Sequence, residues 1–177
     1  MCLLLSVLVG CTASAPGGPG APVGADGKDR PAASSAPADS PLRPVYPDDF
    51  SAGSAGIETA RIADAVQALL PPSDIVNVDD HAQEVPADKE GAGYYGVIRT
   101  ITLTATVDPV ARARAITSEL LSAGWVERQT ADEPGSYFAA LSSEATGTES
   151  WFIVIGGDTS VPGQSVVTLQ LASPELS

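Results

Sequence analysis

The stretch Val97–Gly124, VIRTITLTATVDPVARARAITSELLSAG, decides the fold class. In its first half Ile101, Leu103, Ala105 and Val107 alternate with Thr100, Thr102, Thr104 and Thr106. Successive side chains of a strand point to opposite faces, so this spacing predicts a strand with one face in a core and the other open. At Asp108-Pro109 the period changes. Asp108 suits an N-cap and Pro109 the first helical position, after which Val110, Ala113, Ile116, Leu120 and Leu121 recur at helical spacing. Gly124 then supplies a residue for a left-handed C-terminal cap.

Working outward, Ile57–Leu70 places Ile62, Ala65, Val66, Leu69 and Leu70 on one helical stripe, and Pro71-Pro72 ends it. Between that helix and the central strand, 73–93 carries Asp74, Asp79, Asp80, Glu84, Asp88 and Glu90 around the short apolar piece Ile75–Val78. This segment reads as a solvated loop with one short edge strand. After Gly124, strands are expected at 125–129, 137–142, 151–156 and 164–172. Turn residues at Glu133-Pro134-Gly135, Thr146-Gly147 and 156–163 separate them. Short strands joined by tight loops pair antiparallel, and amphipathic helices cover one face. The expected fold is α+β: an antiparallel sheet of four to six strands with two helices on one face, a two-layer sandwich. A ferredoxin-like order is one topology compatible with this layout.

From Thr12 to Gly56 the chain is dominated by Ala, Gly, Pro, Ser and Asp, with Leu42, Val45, Tyr46 and Phe50 as its few large apolar residues. Such a segment buries too little surface to offset its ordering entropy, so it reads as a disordered tether. A flexible chain of this length has an end-to-end distance of about 35 to 40 Å, extended further by its prolines. The expected organisation is therefore 1–10, 11–55 as tether, and 56–177 as a single domain.

The first of these segments has a character of its own. Leu8-Val9-Gly10-Cys11 closes an apolar run that begins at Leu3, and it resembles the lipobox of bacterial lipoprotein signal peptides. The resemblance implies that the peptide is cut before Cys11, which becomes the lipidated first residue of the mature chain. Cys11 is then the lipidation site, and two or three acyl chains give lasting anchorage where one binds marginally. A signal peptide begins with a basic region, yet the first Lys or Arg is Lys28, so the initiation codon is expected upstream of Met1. Abundant Ala, Gly and Pro, with Arg favoured over Lys, resembles the small lipoproteins of the actinobacterial envelope. The location implied is the outer face of the cytoplasmic membrane. Cys2 and Cys11 are the only cysteines, so the domain is expected to fold without a disulfide or a zinc site.

Charge excludes one class of partner. With 22 acidic against 9 basic residues the net charge is -13, which repels nucleic-acid phosphates. No catalytic residues are assigned, because there is no Gly-x-Ser-x-Gly elbow, phosphate loop or dinucleotide fingerprint, and the single histidine, His81, reads as a surface residue of the acidic loop. No cofactor or metal is expected. Asp79, Asp80, Glu84, Asp88 and Glu90 are oxygen donors of the type calcium takes, but their spacing matches no calcium loop, and a solvated charge run explains them. Trp125, Trp151, Tyr94 and Tyr95 are able to stack on sugar rings, although Trp125 after a helix cap and Trp151 at a strand start suit a core.

The remaining feature is the second face of the sheet. Along Trp151–Ile155 both faces are apolar, whereas the threonine row is polar. Thr100, Thr102, Thr104, Phe152, Val154 and Thr168 form the candidate interaction face, covered by an envelope protein, a ligand, a second copy, the tether or their own neighbours. The expected function is that of a non-enzymatic accessory or binding lipoprotein. The alternatives are a carrier holding a lipid or other hydrophobic ligand between sheet and helices, and a domain that binds or hydrolyses cell-wall glycan.

Overall fold

The computed structural model describes residues 39–86, 92–144, 149–160 and 163–176. Cys11 and its lipobox, Asp88, Glu90 and the Thr146-Gly147 turn lie outside them. The elements are α1 (Ala52–Gln67), a 3-10 turn (Pro72–Asp74), β1 (Ile75–Pro86), β2 (Gly93–Leu103), α2 (Pro109–Ser122), β3 (Val126–Glu133), β4 (Ser136–Ser142), β5 (Phe152–Asp158) and β6 (Val166–Ala172). The strands form one six-stranded sheet in the order β1-β2-β6-β5-β4-β3, every neighbouring pair antiparallel. The fold is α+β, as expected. It is not ferredoxin-like: α2 carries the chain from β2 to the far edge, and a four-strand meander returns until β6 closes against β2.

The β2–α2 join has the geometry its residues dictate. Val97, Ile101 and Leu103 are buried on one side of β2. The Asp108 side chain accepts from the backbone N–H of Val110 (2.9 Å) and Ala111 (3.2 Å), satisfying two donors that a helix start leaves open. Gly124 ends the helix at φ 93°, a left-handed conformation that glycine adopts without penalty. Another glycine permits the layers to meet. A Cβ at Gly157 of β5 would collide with the Pro109 carbonyl and lie 2.9 Å from the Ala113 Cβ, so its absence lets α2 press directly on the sheet.

Beneath the helices Ile62 and Val66 of α1, Ile116 and Leu120 of α2, and Leu141, Ile153, Ile155 and Leu169 of the sheet form one core with Trp151 and Trp125. Both indoles are buried and both N–H groups are satisfied. Trp151 donates to Thr59 Oγ1 (3.1 Å) and Trp125 to the Leu42 carbonyl (2.8 Å).

Three expectations are corrected. The segment after Pro72 is not a loop with a short strand at 75–78, because β1 runs for 12 residues to Pro86 and pairs with β2 along its length. Its apolar period is lost since it is an edge strand exposed on both faces, where burial imposes no alternation. The second correction concerns helix and tether. α1 begins at Ala52, not near 57, behind a reciprocal Ser51/Ser54 capping box, and the domain therefore extends upstream of residue 56.

Residues 39–50 also pack on the domain. Leu42 is buried, Val45 N–H donates to Glu58, and Arg61 donates to the Pro41 and Arg43 carbonyls. Tyr46 and Phe50 stand edge-on to Trp151 at 4.9 and 5.8 Å between ring centroids. Burial raises the Tyr46 phenol above its ordinary pKa, with Glu144 and Glu149 adding to the shift against a hydrogen bond from Ser143. Sparse apolar residues suffice here because Tyr46 and Phe50 meet Trp151 and Leu42 joins the core beside the Trp125 indole, while Val45 stays exposed. The third correction is Thr104. β2 ends at Leu103, and the Thr104 N–H turns to the Asp74 carbonyl (2.8 Å), so this residue leaves the pleated row of Thr100 and Thr102.

Candidate functional site

The helices and the 39–50 strap cover one face of the sheet, and the strand registers fix what the other presents. β2 contributes Tyr94, Gly96, Ile98, Thr100 and Thr102, β6 contributes Thr168, Gln170 and Ala172, and β5 contributes Phe152, Val154, Gly156 and Asp158. β1 adds Asn77, Asp79, His81, Gln83 and Val85 through its pairing with β2. Five of the six candidate residues therefore share a face, with Thr104 the exception.

The face divides into two ends. At one, Phe152 is 47% exposed, Ile98 51% and Tyr94 37%, values unusual for residues of this size on a sheet. They border a shallow groove of about 200 Å³. Its floor is low because Gly96 and Ala172 face each other across β2 and β6 and carry little or no side chain. Val85, Tyr94 and Ile98 flank one side of this floor, and Phe152 and Val154 the other. At the opposite end the register sets Thr100 beside Thr168 and Thr168 beside Gly156, where a Cβ would lie 2.5 Å from the Thr168 hydroxyl. Thr100, Thr102 and Thr168 thus form a polar, half-buried floor apart from the groove.

Reading the sequence alone missed the β1 wall of the groove. His81 is exposed, as expected, but it sits opposite Ile98 and lines the groove with Gln83 and Val85. The acidic residues of β1 do not converge. Asp79 and Asp80 point to opposite faces, and Asp80 turns under the sheet to Arg99. Among the described residues there is no group of three or more His, Cys, Asp or Glu side chains placed to hold a metal ion.

Arg99 was not singled out by the sequence. Its side chain is 7% exposed on the covered face, between Val97 and Ile101, and it bonds Asp64 (2.9 Å) and Gln67 (3.0 Å) of α1 as well as Asp80 of β1. Burial works against its charge, but the hydrogen bonds and charges of Asp80 and Asp64 outweigh it and raise the guanidinium pKa. The cluster joins helix to edge strand, and the Arg99 guanidinium is taken up by Asp64, Gln67 and Asp80.

The tryptophans are core residues, and Tyr95 packs its ring on Gly56 of α1. Of the four aromatic residues considered for sugar stacking, Tyr94 alone presents its ring on the open face. The layer between sheet and helices, where a carried ligand was considered, is filled by the core side chains. No protein-family model, curated protein or solved structure matches the chain.

Proposed function

We propose that this chain is a non-enzymatic binding domain that works through the open face of its sheet, held by a lipid on Cys11 at the outer side of the cytoplasmic membrane as an accessory lipoprotein. The observation that carries the binding reading is the clustering of Phe152, Ile98 and Tyr94, each more than a third exposed, around one groove on one face. Monomeric proteins scatter their exposed apolar side chains, and clusters mark contact sites. The filled layer between sheet and helices favours this reading over an internal carrier. The anchor rests on Leu8-Val9-Gly10-Cys11 alone.

Two measurements test the two halves of the proposal. Intact mass of the mature protein should show acyl groups on Cys11, and Cys11→Ala should leave the detergent phase; a wild type without acyl mass sinks the anchor. For the face, a photo-crosslinking side chain at Ile98 should give a discrete adduct in the native envelope while one at exposed Ser118 of α2 gives none. Equal adducts from both positions, or none from either, remove the open face as the site.

A further inference from the structure

The charges on the open face point to the kind of partner it takes. Asp79, Asp158 and, on β3, Glu133 occupy open-face positions in the register, and neither Lys nor Arg does among the described residues. Four arginines of the domain are paired elsewhere. Arg61 pairs with Glu58, Arg99 with Asp64 and Asp80, Arg112 with Asp74, and Arg114 with Asp132. Arg128, in the β3 bulge, donates to the Ser142 hydroxyl and the Glu144 carbonyl, and Ser142 is the register partner of Phe152, so this cation borders the apolar end and not the carboxylate end. The face is thus apolar at one end and negative at the other, on a chain of net charge -13.

That combination selects among occupants. A second copy would bring the same carboxylates and the same net charge against this face, and an anionic lipid surface or fatty acid would be repelled likewise. A small hydrophobic ligand needs a pocket of about 300–1,000 Å³ that encloses most of its surface. This groove is smaller, at about 200 Å³, and open, so it suits one or two inserted side chains. From Phe152 to Asp158 the face runs for about 20 Å, the length of roughly six extended residues.

We infer that the open face binds a basic segment of a partner polypeptide, which sets an aliphatic or aromatic side chain over Gly96 and Ala172 and lays Lys or Arg side chains toward Asp79 and Asp158. The inference rests on the open face being the binding surface and adds the chemistry of what binds there. The apolar side chain is buried between Phe152 and Ile98, and the carboxylates steer approach and fix direction.

The test uses the full chain carrying Cys11→Ser, labelled with 15N, and peptides of about ten residues, long enough to cross the face in extended form. One peptide alternates Lys with Leu and Phe, and its counterparts carry Ser or Glu in place of Lys. Vesicles of phosphatidylglycerol form the fourth probe. The Lys peptide should shift the amides of Gly96, Ile98, Phe152 and Gln170, and binding should weaken several-fold as salt rises from about 0.05 to 0.3 M because screening shortens the reach of the carboxylates. Asp79→Asn combined with Asp158→Asn should weaken it several-fold at low salt. Gly96→Val, whose Cβ lies at ordinary contact distance (3.5 Å) from Tyr94 and Val85, should fill the floor and abolish the groove shifts while the fold is kept.

Equal binding of the Ser peptide at the same amides, or indifference to the double Asn variant, overturns the basic partner and leaves the face as a binding surface. Vesicle-induced shifts on this face overturn it in favour of a membrane. Lys-peptide shifts scattered along α1 and the outer edge of β1 reduce it to general attraction by an acidic chain. Silence of all four probes overturns both the partner and the face.

Discussion

The two faces of the sheet are cut from the same strands by strict alternation, yet they obey different rules. On the covered face Ile153, Ile155 and Leu169 have at most 1% of their surface exposed, and even the Arg99 cation of β2 is packed and paired there. At the groove end of the open face Phe152, Ile98 and Tyr94 are each more than a third exposed, with Gly96 and Ala172 between them where a larger side chain would fill the gap. The covered face gains from exclusion of water and from shape, so each atom removed is felt. The open face gives up that contribution. What it holds instead is contact surface without an intramolecular partner, a sign of selection for something other than stability.

The adjacent residues Trp151 and Phe152 test that difference most sharply. Trp151→Ala removes a fully buried indole that Tyr46, Phe50 and Thr59 contact, and should cost about 3–5 kcal/mol in urea unfolding. Phe152→Ala, one residue on, should cost less than about 1 kcal/mol because the ring is already 47% exposed. Comparable losses for the two would abolish the distinction between the faces.

Arg99 offers a second test, in which the direction of the asymmetry is the point. Asp64→Asn with Asp80→Asn leaves a guanidinium that is 7% exposed without its counter-charges, which should cost about 3 kcal/mol. Arg99→Met keeps the volume and leaves two carboxylates that are 72% and 39% exposed and open to water, so it should cost about 1 kcal/mol or less. A larger loss from Arg99→Met than from the paired aspartates would mean that Arg99 acts by packing its stem, not as the hub of an ion pair.

These contrasts also explain what the sequence made legible. The strand at Thr100–Leu103, the Asp108-Pro109 cap and the Gly124 stop were readable because a buried face imposes a period and a helix end imposes a chemistry on particular residues. β1 escaped notice because an edge strand exposed on both faces owes its existence to backbone pairing with β2, which leaves no mark on side-chain order. The strap escaped for a different reason. Leu42, Tyr46 and Phe50 are too sparse to form a pattern, and their partners Trp125 and Trp151 lie far along the chain. Of the candidate face, Phe152, Val154, Thr100, Thr102 and Thr168 followed from alternation. The groove did not, since it needs the lateral order that brings Gly96 beside Ala172 and His81 beside Ile98.

The strap gives the third prediction. If 39–50 is part of the covered layer, Leu42→Ala should cost about 2 kcal/mol, the low end for a buried leucine because the site lies at the margin of the core. Removal of all residues before Ser51 should cost more and should expose Trp151 to a fluorescence quencher. A truncated domain with unchanged stability and an unquenched indole would return the strap to the tether and narrow the covered face to the two helices.

The smallest expected effect shows that depth, and not side alone, governs the difference. Arg114 of α2 and Asp132 of β3 lie on the covered side, and the guanidinium stands 5.7 Å from the Tyr137 ring centroid, but both side chains are 46% exposed at the rim. The hydrogen bond from Arg114, reinforced by its charge, holds the Asp132 carboxyl below the ordinary carboxylate range. A group whose pKa is lowered on folding contributes stability above its unfolded value and loses it as pH falls through the folded one, so the pair acts at neutral pH and fades in acid. Solvent screening keeps such a rim pair weak. Carboxyl 13C titration should place Asp132 below the ordinary carboxylate range, and Arg114→Gln should move it back up toward that range with little change in the urea midpoint at pH 7. If Arg114→Gln instead lowered that midpoint as far as the Asp64/Asp80 double variant does, position on the covered side would suffice to make an ion pair matter, and the contrast between the faces would be one of side and not of burial.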